Sequence, residues 1–334
     1  MLNEKEDYSV AFIICTEAGK LEKKSRLFVE SLRNFGGILA KTNVYSISPR
    51  EKKSQLSERT RTFFKEQNVI HEAVNVNSKY PDYSMANKIY SAAYYENKLT
   101  EDLLVFCDSD LLILNSLDEL LIPKSKDVAF RVVARKNVGS DGKDTNADYW
   151  KSLYKILGVN KISFVTTALG ERIFSYFDGG LIVAKKKIGF FNQWKENFEK
   201  VMKCGLEPDQ GIYFLEQTLI GATYSQMDLN AKKLPISYNY PLLRHHDLLS
   251  LGLHLSIQEI NMLHYHRAFD APKSINVAEH LKGFSGPKLK WIEEYLIKHE
   301  INPSPFKRDL HYKFLLEKES IKKTMMRNKN QKLN

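Results

Sequence analysis

The chain has 334 residues, of which 43% are hydrophobic, 11% aromatic and 27% charged, with a formal net charge of +10. These proportions exclude a disordered polymer and bound the fold at one large α/β domain with additions, or two small domains. Three cysteines, Cys15, Cys107 and Cys204, exclude a disulfide scaffold and a cysteine-rich zinc site.

Val10 to Cys15 is a short continuous apolar run, the pattern of a strand buried on both faces, and it ends in the polar turn Thr16-Glu17-Ala18-Gly19. The run is far shorter than the roughly 20 residues of a membrane span. The opening MLNEKEDYSV lacks a secretory pattern, so a reducing, cytoplasmic location is expected. Leu21 to Phe35 reads as an amphipathic helix stopped by Gly36-Gly37. Thr42 to Ile47 predicts a second strand, Leu56 to Gln67 a helix, Ile70 to Val76 a third strand, and Ser84 to Tyr95 a helix capped by Ser84. Leu103 to Cys107 is a fourth buried strand that runs into Asp108-Ser109-Asp110. Further strands are expected at Asp127 to Ala134 and Ile182 to Ala184, and helices at Phe190 to Met202, Asp209 to Ile220 and Lys288 to His299. Strands that alternate with helices imply a parallel sheet joined by right-handed crossovers. No internal repeat is present.

In open parallel sheets, ligands sit beyond the carboxyl ends of the strands. Asp108 and Asp110, one residue apart just past a buried strand, make a hard oxygen site for a divalent cation that relieves their mutual repulsion and can hold a diphosphate. The same pair in another context is a solvated turn. In Leu263-His264-Tyr265-His266, strand alternation puts His264 and His266 on one face, and either imidazole suits a manganese-like ion. A strand histidine is otherwise an ordinary structural residue. Phe177-Asp178-Gly179-Gly180 leads into an apolar segment whose glycines permit close backbone approach to a ligand, or form an ordinary turn. Asp209-Gln210 follows Pro208 at an expected helix start, where Asp209 also suits an N-cap.

The order of these pieces resembles a GT-A fold glycosyltransferase, most nearly glycosyltransferase family 8 and its relatives. The matching segments are the first strand ending in Thr16, Asn87-Lys88, Val105 to Asp110, Phe177 to Gly180, Asp209-Gln210 and His264-Tyr265, across about residues 10 to 270. The likeness is to a divergent member, since Asp178 stands where the family usually has Asn, and Arg267-Ala268-Phe269 where a glycine and a Lys-Pro-Trp-like segment are usual. The resemblance implies a Rossmann-like, mostly parallel α/β sheet and a divalent-metal dependent, hexosyltransferase-like enzyme. Asp108, Asp110 and His264 would hold Mn2+ or Mg2+. Thr16 and Glu17 would lie near the nucleoside of a nucleotide-sugar, most simply a UDP-sugar. Asn87 and Lys88 would lie near its sugar or phosphates, Ser109 by the ribose, and Gly179 and Gly180 along the sugar. Asp178, Asp209 and Gln210 would serve the reacting carbon. Transfer to a glycan, lipid-linked or protein acceptor is expected to retain configuration, because the departing phosphate can accept the acceptor's proton; the alternative, inversion, would use Glu207 or Asp209 as a carboxylate base on the far face of the sugar.

The organisation expected is a transferase domain over 1–275, a helical extension over 276–319 and a basic tail over 320–334. The tail carries Lys322, Lys323, Arg327, Lys329 and Lys332 and no acid. It suits a solvated end or peripheral contact with anionic membrane. No nucleic-acid module is present, so no nucleic-acid partner is expected. Two rivals remain at this level. One is a haloacid-dehalogenase-type phosphatase with Asp108 as nucleophile, although Leu111-Leu112 does not continue that pattern. The other is a non-enzymatic basic adaptor.

Overall fold

The structure is a computed structural model that describes residues 8–269 and 284–301. It falls into two compact units, one of 1–241 with 258–264 and the other of 242–257 with 265–334. The expected boundary at 276 and the basic tail 320–334 lie outside the described residues.

The first unit is built on a seven-stranded sheet. Its strands are β1 (Val10–Cys15), β2 (Asn43–Ser48), β3 (Val69–Ala73), β4 (Leu103–Cys107), β6 (Val128–Val132), β9 (Phe177–Lys185) and β10 (Ala231–Leu234), in the order β10-β6-β9-β4-β1-β2-β3. Continuous apolar runs form the centre because both faces are covered. Ala11 and Ile13 of β1 and Leu104 and Phe106 of β4 enter one core. Val10, Phe12 and Ile14, with Leu103, Val105 and Cys107, enter the other. Helix α1 (Lys20–Phe35) packs with α2 (Glu58–Glu66) on the second face. Helices α3 (Ala86–Lys98), α4 (Ala147–Leu157), α5 (Phe190–Cys204) and α6 (Leu215–Gln226) pack on the first.

Most expected elements are present within a few residues, and four differ for physical reasons. The short strand expected at Ile182 to Ala184 is the nine-residue β9, antiparallel to both β4 and β6. Between β6 and β9 the chain forms α4 and the small hairpin of β7 (Phe164–Thr166) with β8 (Arg172–Phe174), and β9 then pairs antiparallel with β6. Ser84 caps nothing with its side chain. Its carbonyl accepts from the Asn87 amide, and α3 starts at Ala86. The helix expected from Asp209 begins only at Leu215, because Gly211 at φ 89° separates a turn from the helix. Finally, the strand through Leu263 ends at His264, and His266 adopts φ 48°. That strand, β12 (Met262–His264), forms a second sheet with β5 (Leu111–Ile113) and β11 (Tyr240–Pro241). The second unit contains α7 (His245–Ser250) and α8 (Pro287–Lys298), with Tyr265 stacked on Phe269 and Trp291 on Tyr295. Among the described residues no helix is long and apolar enough to cross a membrane.

One close approach sets where α6 can lie. A Cβ at Gly221 would stand 1.7 Å from the backbone oxygen of Ser175, just before β9. Gly221→Ala should therefore push α6 off the sheet and cost about 3 kcal/mol or more. In a melting experiment that is a fall of roughly 6–12 °C in Tm, and a Tm within 2 °C of wild type would show that α6 is not held this closely.

Candidate functional site

Asp108 and Asp110 flank the turn between β4 and β5, at the carboxyl end of the central strand. The Asp108 amide donates to the Gly180 carbonyl at 2.9 Å, which ties this turn to the start of β9. Because β5 leaves directly from Asp110 and pairs antiparallel with β12, His264 falls opposite Leu111. That register brings His264 Nε2 to 3.2 Å from Asp110 Oδ1. Lys24 of α1 reaches the other Asp110 oxygen at 3.4 Å.

Lys88 extends from α3 into the centre of the site. Its ammonium lies 2.8 Å from Asp108 Oδ2 and 3.2 Å from Glu216 Oε1. Glu216 is the residue that sequence reasoning missed. It sits in the first turn of α6, 5% exposed, with its amide donating to Tyr83 Oη at 3.3 Å and its carbonyl accepting from the Trp194 indole at 3.1 Å. Its Oε2 meets no hydrogen-bond donor among the described residues. A carboxylate inside an otherwise buried helix was the available signal, since such a group is costly unless it is paired or put to use.

The glycines of the Phe177 segment are close approaches. A Cβ at Gly179 would lie 2.8 Å from Glu216 Oε2, and one at Gly180 would lie 2.8 Å from the His264 ring and 3.1 Å from Asn239 Nδ2. Asp178 accepts from the Gly180 amide at 3.0 Å and from Asn239 Nδ2 at 2.6 Å, and pairs with the buried Arg131 of β6. Asn239 Oδ1, also buried, lacks a donor among the described residues.

Electrostatics follow from this crowding. Asp108, Asp110, Asp178 and Glu216 lie in ion pairs with Lys24, Lys88 and Arg131, and His264 meets Asp110. Burial opposes charge on Lys88, but Asp108 and Glu216 outweigh it and hold the ammonium well above its ordinary pKa. Burial and the neighbouring carboxylates raise Glu216 and Asp108, with Lys88 opposing. Burial also works against a charged His264, yet Asp110 at contact, with Asp178 and Asp108, raises its pKa on balance. Asp110 and His264 together suit a divalent cation. Their ligand atoms, 3.2 Å apart, match neighbouring corners of a coordination shell with bonds of about 2.2 Å, and the missing Cβ at Gly180 leaves room for the imidazole. Such an ion would take the place of the proton that Asp110 stabilises on the ring.

The remaining expected residues are placed as follows. Thr16 is fully buried, bonding Ser25 and Ser46, while its carbonyl accepts from Ser48 at 2.6 Å. Glu17 is 2% exposed and taken by a two-point pair with Arg50, which also donates to the Pro81 carbonyl. Asn87 holds the loop at Asn77. These three side chains brace loops around the site. Ser109 is buried between the two aspartates. Asp209 and Gln210 lie exposed on a turn. His266 belongs to the second unit.

A family model described as the Rhodobacterales glycosyltransferase domain matches residues 12–228, well over half of the chain. The chain belongs to this family. The glycosyltransferase assignment replaces the phosphatase and adaptor readings, while the likeness to glycosyltransferase family 8 stays a resemblance. No curated protein matches the chain. Among solved structures, the apo form of the WbbM bifunctional glycosyltransferase is similar with a TM-score of 0.50 and 16% identity. That match covers 92% of this chain and 53% of WbbM, so the chain spans about half the length of that protein. Mouse xyloside xylosyltransferase 1, also without ligand, matches with a TM-score of 0.44 and 12% identity over 76% of this chain and 97% of its own. The likeness to WbbM is one of fold, and the glycosyltransferase has the GT-A type of mostly parallel sheet.

Two outcomes test this geometry. Gly180→Ala should displace the His264 ring and lower transferase turnover on the order of 100-fold while the melting temperature falls by only a few degrees; unchanged turnover would separate that ring from the chemistry. The second concerns His71 on β3. Burial lowers its pKa to about 4, against the pull of Glu72 and Glu22, while Ser46 bonds its Nδ1 at 3.0 Å. The unfolded chain takes up this proton below about pH 6.5 and the folded one only near 4. Stability contributed by the neutral ring is therefore complete above 6.5 and is lost as pH falls towards 4, by about 2 kcal/mol after allowing for partial exposure. Chemical denaturation from pH 7 to 4 should show a shallower decline in His71→Gln by that amount.

Proposed function

We propose that this glycosyltransferase is divalent-metal dependent, with Mn2+ or Mg2+ held by Asp108, Asp110 and His264, and that it moves a hexosyl group from a nucleotide-sugar, most simply a UDP-sugar, to an acceptor with retention of configuration. The observation that carries this reading is the facing of Asp110 Oδ1 and His264 Nε2 at 3.2 Å beside Asp108. A bound cation there would neutralise negative charge on the leaving diphosphate. Lys88, anchored between Asp108 and Glu216, adds a fixed positive charge where that diphosphate charge grows.

The sugar itself meets the glycine surface. Gly179 and Gly180 present backbone in place of side chains, and Glu216 Oε2 and Asn239 Oδ1 are buried acceptors suited to sugar hydroxyls. Glu216 takes the role by the reacting carbon that the resemblance gave to Asp209 and Gln210, because it is buried, oriented through its backbone and next to Lys88. Asp178 acts through Arg131 and Asn239, holding the β9 start in place. Retention fits a site in which Lys88 engages the carboxylates: the departing phosphate itself accepts the acceptor's proton, and no unpaired strong base is required.

The acceptor class proposed is a glycan, lipid-linked or protein substrate. The five basic residues of 320–334 suit peripheral contact with anionic lipid at a cytoplasmic membrane face. The three cysteines are free thiols, as a reducing compartment would leave them.

Nucleotide release from a panel of nucleotide-sugars, with and without Mn2+, tests the reading. Asp108→Asn and Asp110→Asn should each abolish the metal-dependent part. Glu216→Gln should lower turnover on the order of 100-fold or more with a smaller change in donor affinity, whereas Asp209→Asn should stay within about threefold. Release that ignores the metal, or that depends on Asp209 rather than Glu216, would overturn the corresponding assignment.

A further inference from the structure

Among the described residues eleven large apolar side chains stand well exposed, and four of them fall within residues 243–253 of the second unit. Leu243, Leu249, Leu251 and Leu253 are 43%, 47%, 56% and 42% exposed. Their neighbours Leu242, Leu248 and Ile257 are buried. The segment thus has an inner apolar face that is filled and a second, outer one.

The turn after α7 gathers three of these leucines. The Gly252 amide donates to the Leu249 carbonyl at 3.1 Å and the Leu253 amide to the Leu248 carbonyl at 2.8 Å, with Gly252 at φ 68°. This is the left-handed glycine cap that ends many helices, and it commonly tucks the residue after the glycine against the helix. Here that residue, Leu253, stays exposed beside Leu249 and Leu251. Single exposed leucines are ordinary, but several on one turn mark an interaction surface.

The charge of the same unit indicates what covers them. Residues 302–334 include nine basic and three acidic side chains, so a net +6 of the chain's +10 lies in this last segment. Because it is a net excess, ion pairs within the segment leave it in place. The segment follows Ile301, just beyond α8, and Phe284, just before α8, sets its ring 4.9 Å from the His245 ring of α7. The leucine turn and the point where the basic segment begins therefore belong to one compact unit. A second copy of the chain on this turn would bring two such excesses together, which repulsion disfavours. An anionic lipid surface complements both features, since leucines enter the boundary between headgroups and acyl chains while cations bind the headgroups. Either signal alone gives weak, reversible attachment, and stable attachment takes two.

We propose that the second unit docks on an anionic membrane surface, with Leu243, Leu249, Leu251 and Leu253 entering the lipid and the basic residues of 302–334 held at the headgroups. This rests on the lipid contact proposed above for 320–334 and supplies the apolar anchor that charge alone lacks. The reading needs no turnover, so its test stands apart from the metal site.

Co-sedimentation of the full chain with vesicles of equal parts phosphatidylcholine and phosphatidylserine tests it. Wild type should bind these vesicles at least about tenfold more tightly than vesicles of phosphatidylcholine alone. Leu249→Ser/Leu251→Ser/Leu253→Ser should bind on the order of 100-fold more weakly, with a melting temperature within about 3 °C of wild type. Methionine at the same three positions should keep the affinity within about threefold, because it is equally able to enter lipid. Lys322→Gln/Lys323→Gln/Arg327→Gln/Lys329→Gln should bind at least about tenfold more weakly. If only this glutamine variant loses affinity, the contact of the basic residues stands and the leucine anchor is overturned. Equal binding to both kinds of vesicle overturns the match of charge. A serine variant that melts well below wild type without vesicles makes residues 302–334 of the same chain the cover, and a dimer that the serine variant loses makes it a second copy; both overturn the proposal.

Discussion

A single ammonium pinned between two buried carboxylates organises the site. Lys88 comes from α3, Asp108 from the end of β4 and Glu216 from the first turn of α6, so their contacts of 2.8 and 3.2 Å join three elements that the chain visits far apart. A buried charge without partners costs several kcal/mol, and removing one member of such a set leaves the others uncompensated. The cluster therefore constrains the fold as strongly as any apolar contact.

Much of the rest is arranged so that backbone can approach this cluster. Gly221 lets α6 lie against Ser175, and this carries Glu216 towards Gly179. Gly180 makes room for the His264 ring, which reaches Asp110 only because β5 and β12 pair antiparallel with Leu111 opposite His264. Tyr83, Trp194 and the buried α5 core then fix the backbone of Glu216 from two sides. Preorganisation of this kind places groups before a substrate arrives and avoids reorganisation at the moment of bond breaking.

The sequence made parts of this plain and hid others for definite reasons. The runs at Val10 and Leu103 are apolar on both faces, so β1 and β4 could be read directly, and with them the Asp108–Asp110 turn that β4 must present at its carboxyl end. Direction is a different matter. β9 is as apolar as a parallel strand, and nothing in its composition records that it runs backwards. Thr16 and Glu17 occupy the right turn, but their partners Ser46, Ser48 and Arg50 come from the neighbouring strand and its loop. Only the register of β1 on β2 supplies these partners, and no local pattern announces it. Asp209 carried a sound capping pattern behind Pro208, and the positive φ of Gly211 moved the helix start past it. Glu216 stood out only as a carboxylate in an otherwise buried helix, and its counter-ion lies 128 residues away in the chain, out of reach of any local pattern.

What stands at each end of the central strand pair follows from one feature of the sheet's topology. Because β9 is antiparallel to β4, the same pair of strands delivers Gly179 and Gly180 to the acid-rich end and Lys185 to the opposite end. From the first end β5 departs directly from Asp110, while Lys186 and Lys187 continue from Lys185 at the other. An all-parallel sheet would have sent the start of this strand to the lysine end and left the carboxyl end of β4 without the glycines that admit His264. The antiparallel pairing of β9 with β4 thus places the glycine approach at the Asp108 end and Lys185 about one strand length away.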